Sequence, residues 1–86
     1  MSQTLEKLAQ LGIELPAPTT AMGNYIPSLR IGDLIYLSGV VARDAKGELM
    51  AGKLGADYSV DQGYQAARSC ALQILANVQR EAGDLD

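Results

Sequence analysis

Histidine, tryptophan and phenylalanine are absent from the 86 residues, and cysteine occurs once, at Cys70. Without histidine the commonest general base and the commonest neutral metal ligand are gone, so any chemistry must use Arg, Tyr, carboxylates or backbone groups. A lone cysteine can form neither an intrachain disulfide nor a thiolate metal cluster, which fits a reducing cytoplasm and leaves no metal site to expect. No apolar run approaches the length of a membrane span. The opening Met1-Ser2-Gln3-Thr4-Leu5-Glu6-Lys7 lacks the basic start and apolar centre of a signal peptide, so a cytoplasmic protein is expected. Positive charge is scarce as well: seven Lys and Arg against ten Asp and Glu leave a net charge of -3, without a basic run. That balance argues against a nucleic-acid or anionic-membrane partner.

Apolar residues are plentiful by contrast, 48% of the chain against 20% charged, which is the balance of a packed globular protein and not of a disordered tail. The length allows one domain, and a fold this small buries only roughly 60 to 65% of its unfolded surface, so its stability should lean on partners.

Leu5, Leu8, Ala9 and Leu11 fall on one side of a short helix over residues 4–11, with Gly12 at the position of a left-handed cap. Leu15-Pro16-Ala17-Pro18-Thr19-Thr20 cannot hold helix and reads as a linker. Two β-rich runs follow, residues 24–30 and 33–41, punctuated by Gly32-Asp33, and together they predict a hairpin. Pro27 marks an edge or an irregularity in the first run. The consecutive apolar residues Leu34-Ile35-Tyr36-Leu37 predict a strand covered on both faces. A turn at Asp44-Ala45-Lys46-Gly47-Glu48, with Gly47 at positive φ, leads to a third short strand over residues 48–51.

A long helix then starts at Ser59, where Gln62 three residues on completes a capping box, and ends near Ala82 with Gly83 as its cap. Val60, Tyr64, Ala67, Ala71, Ile74, Leu75 and Val78 predict its buried stripe, whereas Gln65, Arg68, Gln73, Gln79 and Arg80 are expected in solvent. Only Asp84-Leu85-Asp86 follow, where a helix leaving a sheet would usually deliver another strand. The order implies an α+β fold: short helix, antiparallel β-β-β, and one long helix packed on the sheet.

Several residue groups could carry chemistry. Gly47-Glu48-Leu49-Met50-Ala51-Gly52-Lys53 has the glycine and lysine spacing of a phosphate-binding loop, but Leu54 replaces the required Ser or Thr and the helix begins seven residues after Lys53, so the match fails. Cys70 reads as a small buried residue, Asp57 and Asp61 as complements to the helix dipole, and Tyr36 and Tyr64 as packing. Tyr25, Ser38 and Gly39 stand at the start of one strand and the end of the next, where a glycine lets a ligand approach the backbone. From the residues alone both packing and ligand contact stay open for them, packing first.

The block Gly23-Asn24-Tyr25-Ile26-Pro27-Ser28-Leu29-Arg30-Ile31-Gly32-Asp33-Leu34-Ile35-Tyr36-Leu37-Ser38-Gly39 resembles the opening hairpin of the Rid family, YjgF-like imine and enamine deaminases also known as L-PSP-type endoribonucleases. The likeness continues through Asp44, Gly47 and Glu48 and through Gln65, Ala66, Ala67, Leu75, Ala76 and Asn77, covering residues 12–86. Leu11-Gly12-Ile13-Glu14-Leu15-Pro16 resembles a less characterised branch with an extra N-terminal helix. The resemblance implies a chorismate-mutase-like α+β fold, here only its first half, with a helix and linker over residues 1–22 and the N-terminal half of a Rid-like domain over residues 23–86. It also implies a homotrimer with clefts between subunits.

The implied activity is hydrolysis of reactive enamines and imines, such as 2-aminoacrylate, to a keto acid and ammonia, without a cofactor. The implied ligand is a small carboxylate metabolite bound at a subunit interface. Tyr25, Ser38 and Gly39 match the substrate-binding wall of that cleft, whereas the family's carboxylate-binding arginine and water-positioning glutamate have no match here. Arg30, Arg43, Arg68 and Arg80 do not replace them, and Val40 stands where many active members carry glutamine. The chain alone is therefore expected to be inactive, with no catalytic residue of its own. The alternative is a non-catalytic oligomeric metabolite-binding or regulatory protein of the same fold. A ribonuclease activity ranks last for an acidic chain without histidine.

Overall fold

A computed structural model describes residues 2–18 and 25–86. The end of the linker, the expected start of the first strand at Asn24 and the boundary between residues 22 and 23 lie outside the described residues. The element order is α1 (Gln3–Gln10), β1 (Ser28–Ile31), β2 (Leu34–Leu37) and α2 (Val60–Ala82). The α+β class holds, with α2 packed on the hairpin.

Local signals place the ends of these elements. Ser59 Oγ accepts from the Gln62 amide at 3.2 Å and Gln62 Oε1 accepts from the Ser59 amide at 2.8 Å, so the capping box is complete. Gly83 closes α2 with φ 82°, a conformation that costs other residues the clash of a Cβ. In α1 the Ile13 amide bonds Leu8 O at 2.9 Å and the Gly12 amide bonds Ala9 O at 3.1 Å, the paired bonds of a Schellman end. Its other end is capped by Ser2, and the Asp86 carboxylate then accepts from the amides of Gln3 (2.6 Å) and Thr4 (3.0 Å) and from the Thr4 hydroxyl (2.6 Å). The Thr4 hydroxyl and these two amides hold the Asp86 carboxyl down at about 2. The two ends of the chain are thereby tied together.

β1 and β2 pair antiparallel, with Leu29 opposite Tyr36 and Ile31 opposite Leu34. β1 begins directly after Pro27, whose carbonyl still accepts from the Ser38 amide at 2.9 Å, so the proline precedes the strand and does not interrupt it. The third strand is reduced to the single bridge Arg43 to Leu49, flanked by Met50 N to Ala42 O and Asp44 N to Glu48 O bonds of 2.9 Å each. Asp44 Oδ1 takes the amides of Lys46 and Glu48 and tightens the turn between them, which leaves too little extended chain for a longer ladder.

Two expectations about burial are overturned. β2 is covered on one face only: Tyr36 is 56% exposed and Leu34 59%, on the face turned away from α2. On α2 the predicted stripe is largely outside, with Val60, Tyr64, Ala67, Ala71 and Ile74 exposed, while Gln73, expected in solvent, is buried beside Ala76 and Asn77. The reason is a set of bonds to a distant segment. Ser69 Oγ accepts from the Arg43 amide (3.0 Å) and donates to the Arg43 carbonyl (2.7 Å). Gln73 Nε2 donates to the Val41 carbonyl at 2.7 Å and to Ser69 Oγ at 3.2 Å. Segment 41–43 must satisfy its backbone groups, and the side of α2 carrying Ser69 and Gln73 provides for them. Ser28 Oγ donates to Glu81 at 2.8 Å and ties β1 to the far end of the helix. The radius of gyration, 14.3 Å, exceeds the roughly 12 Å expected of a closed domain of this length.

Candidate functional site

Tyr25, Ser38 and Gly39 gather at the end of the hairpin opposite its Gly32-Asp33 turn. Ser38 lies one residue beyond β2, and its hydroxyl donates to the Ile26 carbonyl at 2.6 Å while its amide bonds Pro27 O. These two bonds hold the residue after β2 against the residues that follow Tyr25. Tyr25 is 42% exposed. A Cβ placed on Gly39 would meet no atom within 4 Å, so the backbone there is open to a ligand.

The hairpin end offers hydrogen-bonding groups, the Ser38 hydroxyl oxygen and the backbone beside it. Arg30 lies toward the other end, its Nε donating to the Gly32 carbonyl at 3.3 Å. Arg43 donates to the Gly47 carbonyl at 3.0 Å, and Arg68 and Arg80 belong to α2. The arrangement can hold and orient a small ligand through neutral groups.

A cleft of about 1040 Å³ lies apart from the three residues, between Glu14–Pro18, the Arg43–Gly47 turn and the Gln65–Gln73 part of α2. Arg43, Lys46 and Arg68 line it together with Glu14 and Asp44, so its charges are mixed. No local spacing in the sequence announces this cleft, because its walls come from three separated segments. Cys70 is half-buried within α2. Among the described residues no group of His, Cys, Asp and Glu could hold a metal ion, and no helix is long and apolar enough to cross a membrane.

The family described as "YjgF/chorismate mutase-like, putative endoribonuclease" matches residues 5–86. The chain belongs to this family. A YjgF-like relative, Protein TCP17 of Trypanosoma cruzi, is 40% identical over 79 residues, which are 92% of this chain and 49% of that protein. A crystal structure from Shewanella oneidensis MR-1, described as "a putative endoribonuclease", superposes with a TM-score of 0.82 at 36% identity, over 94% of this chain and 54% of that one. The YjgF-type chain thus spans about half the length of the relatives it matches, and its fold corresponds to part of theirs.

Proposed function

We propose that this chain supplies one wall of a small-carboxylate cleft in a Rid-type domain whose full-length form hydrolyses reactive enamines and imines. The observation that carries the reading is the hairpin end, where Ser38 is locked to Ile26 beside exposed Tyr25 and unobstructed Gly39. Family membership supports the same reading. In such a site 2-aminoacrylate tautomerises to its imine, water adds across the C=N bond, and ammonia leaves to give the keto acid. The substrate is already reactive, so the site needs only to hold the carboxylate, orient the water and offset developing charge. Tyr25 and the backbone at Ser38 and Gly39 serve the positioning. The carboxylate's counter-charge comes from another element or subunit, with a homotrimer as the assembly, residues 1–22 as a separate lead and the cytoplasm as the setting.

The 86 residues alone bind and do not turn over. Pyruvate, a stable carboxylate product, is the probe, titrated into isotope-labelled chain while backbone amide shifts are followed. Shifts centred on Tyr25, Ser38 and Gly39, with keto-acid release from enzymatically generated 2-aminoacrylate no faster than in buffer, are expected. Shifts centred on Arg43, Lys46 and Arg68 instead would move the site to the mixed-charge cleft and end this proposal.

The second reading, a non-catalytic binding protein, is favoured by the Ser38 hydroxyl, which is committed to a carbonyl, and by the turning of Arg30 to Gly32. The full-length form separates the two, since only an enzyme releases ammonia from 2-aminoacrylate above the buffer rate. The net charge of -3 places RNA cleavage behind both.

A further inference from the structure

The register of the hairpin decides which side chains share a face with Ser38. Ser28 bonds Glu81 of α2 and stands opposite Leu37, so this pair is turned toward the helix. Side chains alternate along a strand, which turns Leu29 and Tyr36, the next pair, to the outer face. Ser38 belongs to that face too, because its amide bond to the Pro27 carbonyl carries the same register one pair further. Tyr36 and Ser38 are thus successive residues of one face, about 6.8 Å apart in an antiparallel strand, with Leu29 directly across from Tyr36. Tyr36 is 56% and Leu29 46% exposed. The strip changes character along its length. Ser38 and the open backbone of Gly39 end it with hydrogen-bonding groups, and the Tyr36 ring and the Leu29 side chain continue it as apolar surface.

We propose that Tyr36, with Leu29 beside it, is a specificity-determining residue that reads the tail of a ligand whose carboxylate end lies at Ser38 and Gly39. This rests on the small-carboxylate reading of the hairpin end and adds to it what the other end of the ligand must be. A short apolar tail laid on the ring leaves water and gains by its area. A charged tail would be dehydrated there without a partner. The ligand class is therefore a keto acid or imine with an apolar tail of a few carbons. A tyrosine suits this place, since its ring gives a broad rigid surface while its hydroxyl stays hydrated. Tyr36 touches no reacting atom in this arrangement.

Pyruvate and 2-oxobutyrate, which differ by one methylene in the tail, are titrated into the isotope-labelled chain, and the ratio of their affinities is the readout. The unaltered chain is expected to bind 2-oxobutyrate about threefold more tightly, most of what one buried methylene contributes. Tyr36→Thr, which keeps a strand-forming residue, is expected to bring the ratio to about one, and Tyr36→Phe to keep it. Leu29→Thr, on the other strand, repeats the test where Tyr36→Thr fails to fold by circular dichroism. A change that merely loosened the hairpin would weaken both ligands alike and leave the ratio standing. A threefold preference retained in Tyr36→Thr and in Leu29→Thr overturns the proposal. So does a ratio of one in the unaltered chain with shifts still centred on Tyr25, Ser38 and Gly39, which leaves the small-carboxylate reading intact. Shifts absent from those three residues with either ligand end both.

Discussion

The two sides of α2 reverse the usual relation between polarity and burial. On the side against the hairpin and segment 41–43, Gln73 and Asn77 are buried and Ser69 is half-buried, with Ala76 as their apolar neighbour. On the opposite side Val60, Tyr64 and Ile74 lie open, as do Leu29, Ile31, Leu34 and Tyr36 on the outer face of the hairpin. The inner side is specified by hydrogen bonds to fixed partners, which have one register and lose much if broken. The outer surfaces are specified by area alone, and apolar area is indifferent to which neighbour covers it. Contacts between α2 and segment 41–43 are thus carried by directed polar groups, while many apolar residues stay exposed.

Breaking the inner side should have the largest effect. Gln73→Leu leaves the Val41 carbonyl without its 2.7 Å donor at a part-buried bond, so a loss of about 0.5 to 1.5 kcal/mol is expected in urea unfolding at low micromolar concentration. A loss below a few tenths would mean that water replaces the amide and that the bond does not set the face of α2.

The tie between the chain ends should respond to acid. Asp86 is lowered from 3.8 to about 2 by Thr4 and the first amides of α1, and a lowered carboxyl stabilises the folded form when ionised. Its contribution is fully present above about pH 4 and is lost as the pH falls through about 2, with screening by salt because the group is exposed. Amide signals of Gln3 and Thr4 should report loosening of α1 over that interval while Arg43, held by Ser69, stays fixed. Simultaneous loss of both would show that α1 and the α2 contacts unfold as one unit.

The smallest effect on the single chain should come from the outer face. Leu34→Lys at a residue already 59% exposed is expected to change unfolding of the dilute chain by no more than about 0.5 kcal/mol. A larger loss would show that the hairpin depends on its outer apolar pairs, Leu29 with Tyr36 and Ile31 with Leu34, and the contrast between the two sides would narrow.

Much of the frame was legible because it is local. The capping box of Ser59 and Gln62, the left-handed Gly83, the Asp44 to Gly47 turn and the hairpin around Gly32 each bond residues a few positions apart, so spacing in the chain is spacing in the structure. Of the candidate site, the gathering of Tyr25 and Ser38 followed from the hairpin, since antiparallel pairing returns the end of β2 to the start of β1. The cleft along Arg43, Lys46 and Arg68 did not follow, because three segments meet there without a shared periodicity. Nor did the burial of Gln73.

The amino-acid order by itself determined where the helices begin and end and where the hairpin turns, because caps and turns depend on neighbours in the chain. Only the tertiary structure decided which side of α2 faces inward. That choice was made by backbone groups of residues 41–43, more than twenty positions away, whose need for hydrogen bonds selected Ser69 and Gln73 over the apolar stripe.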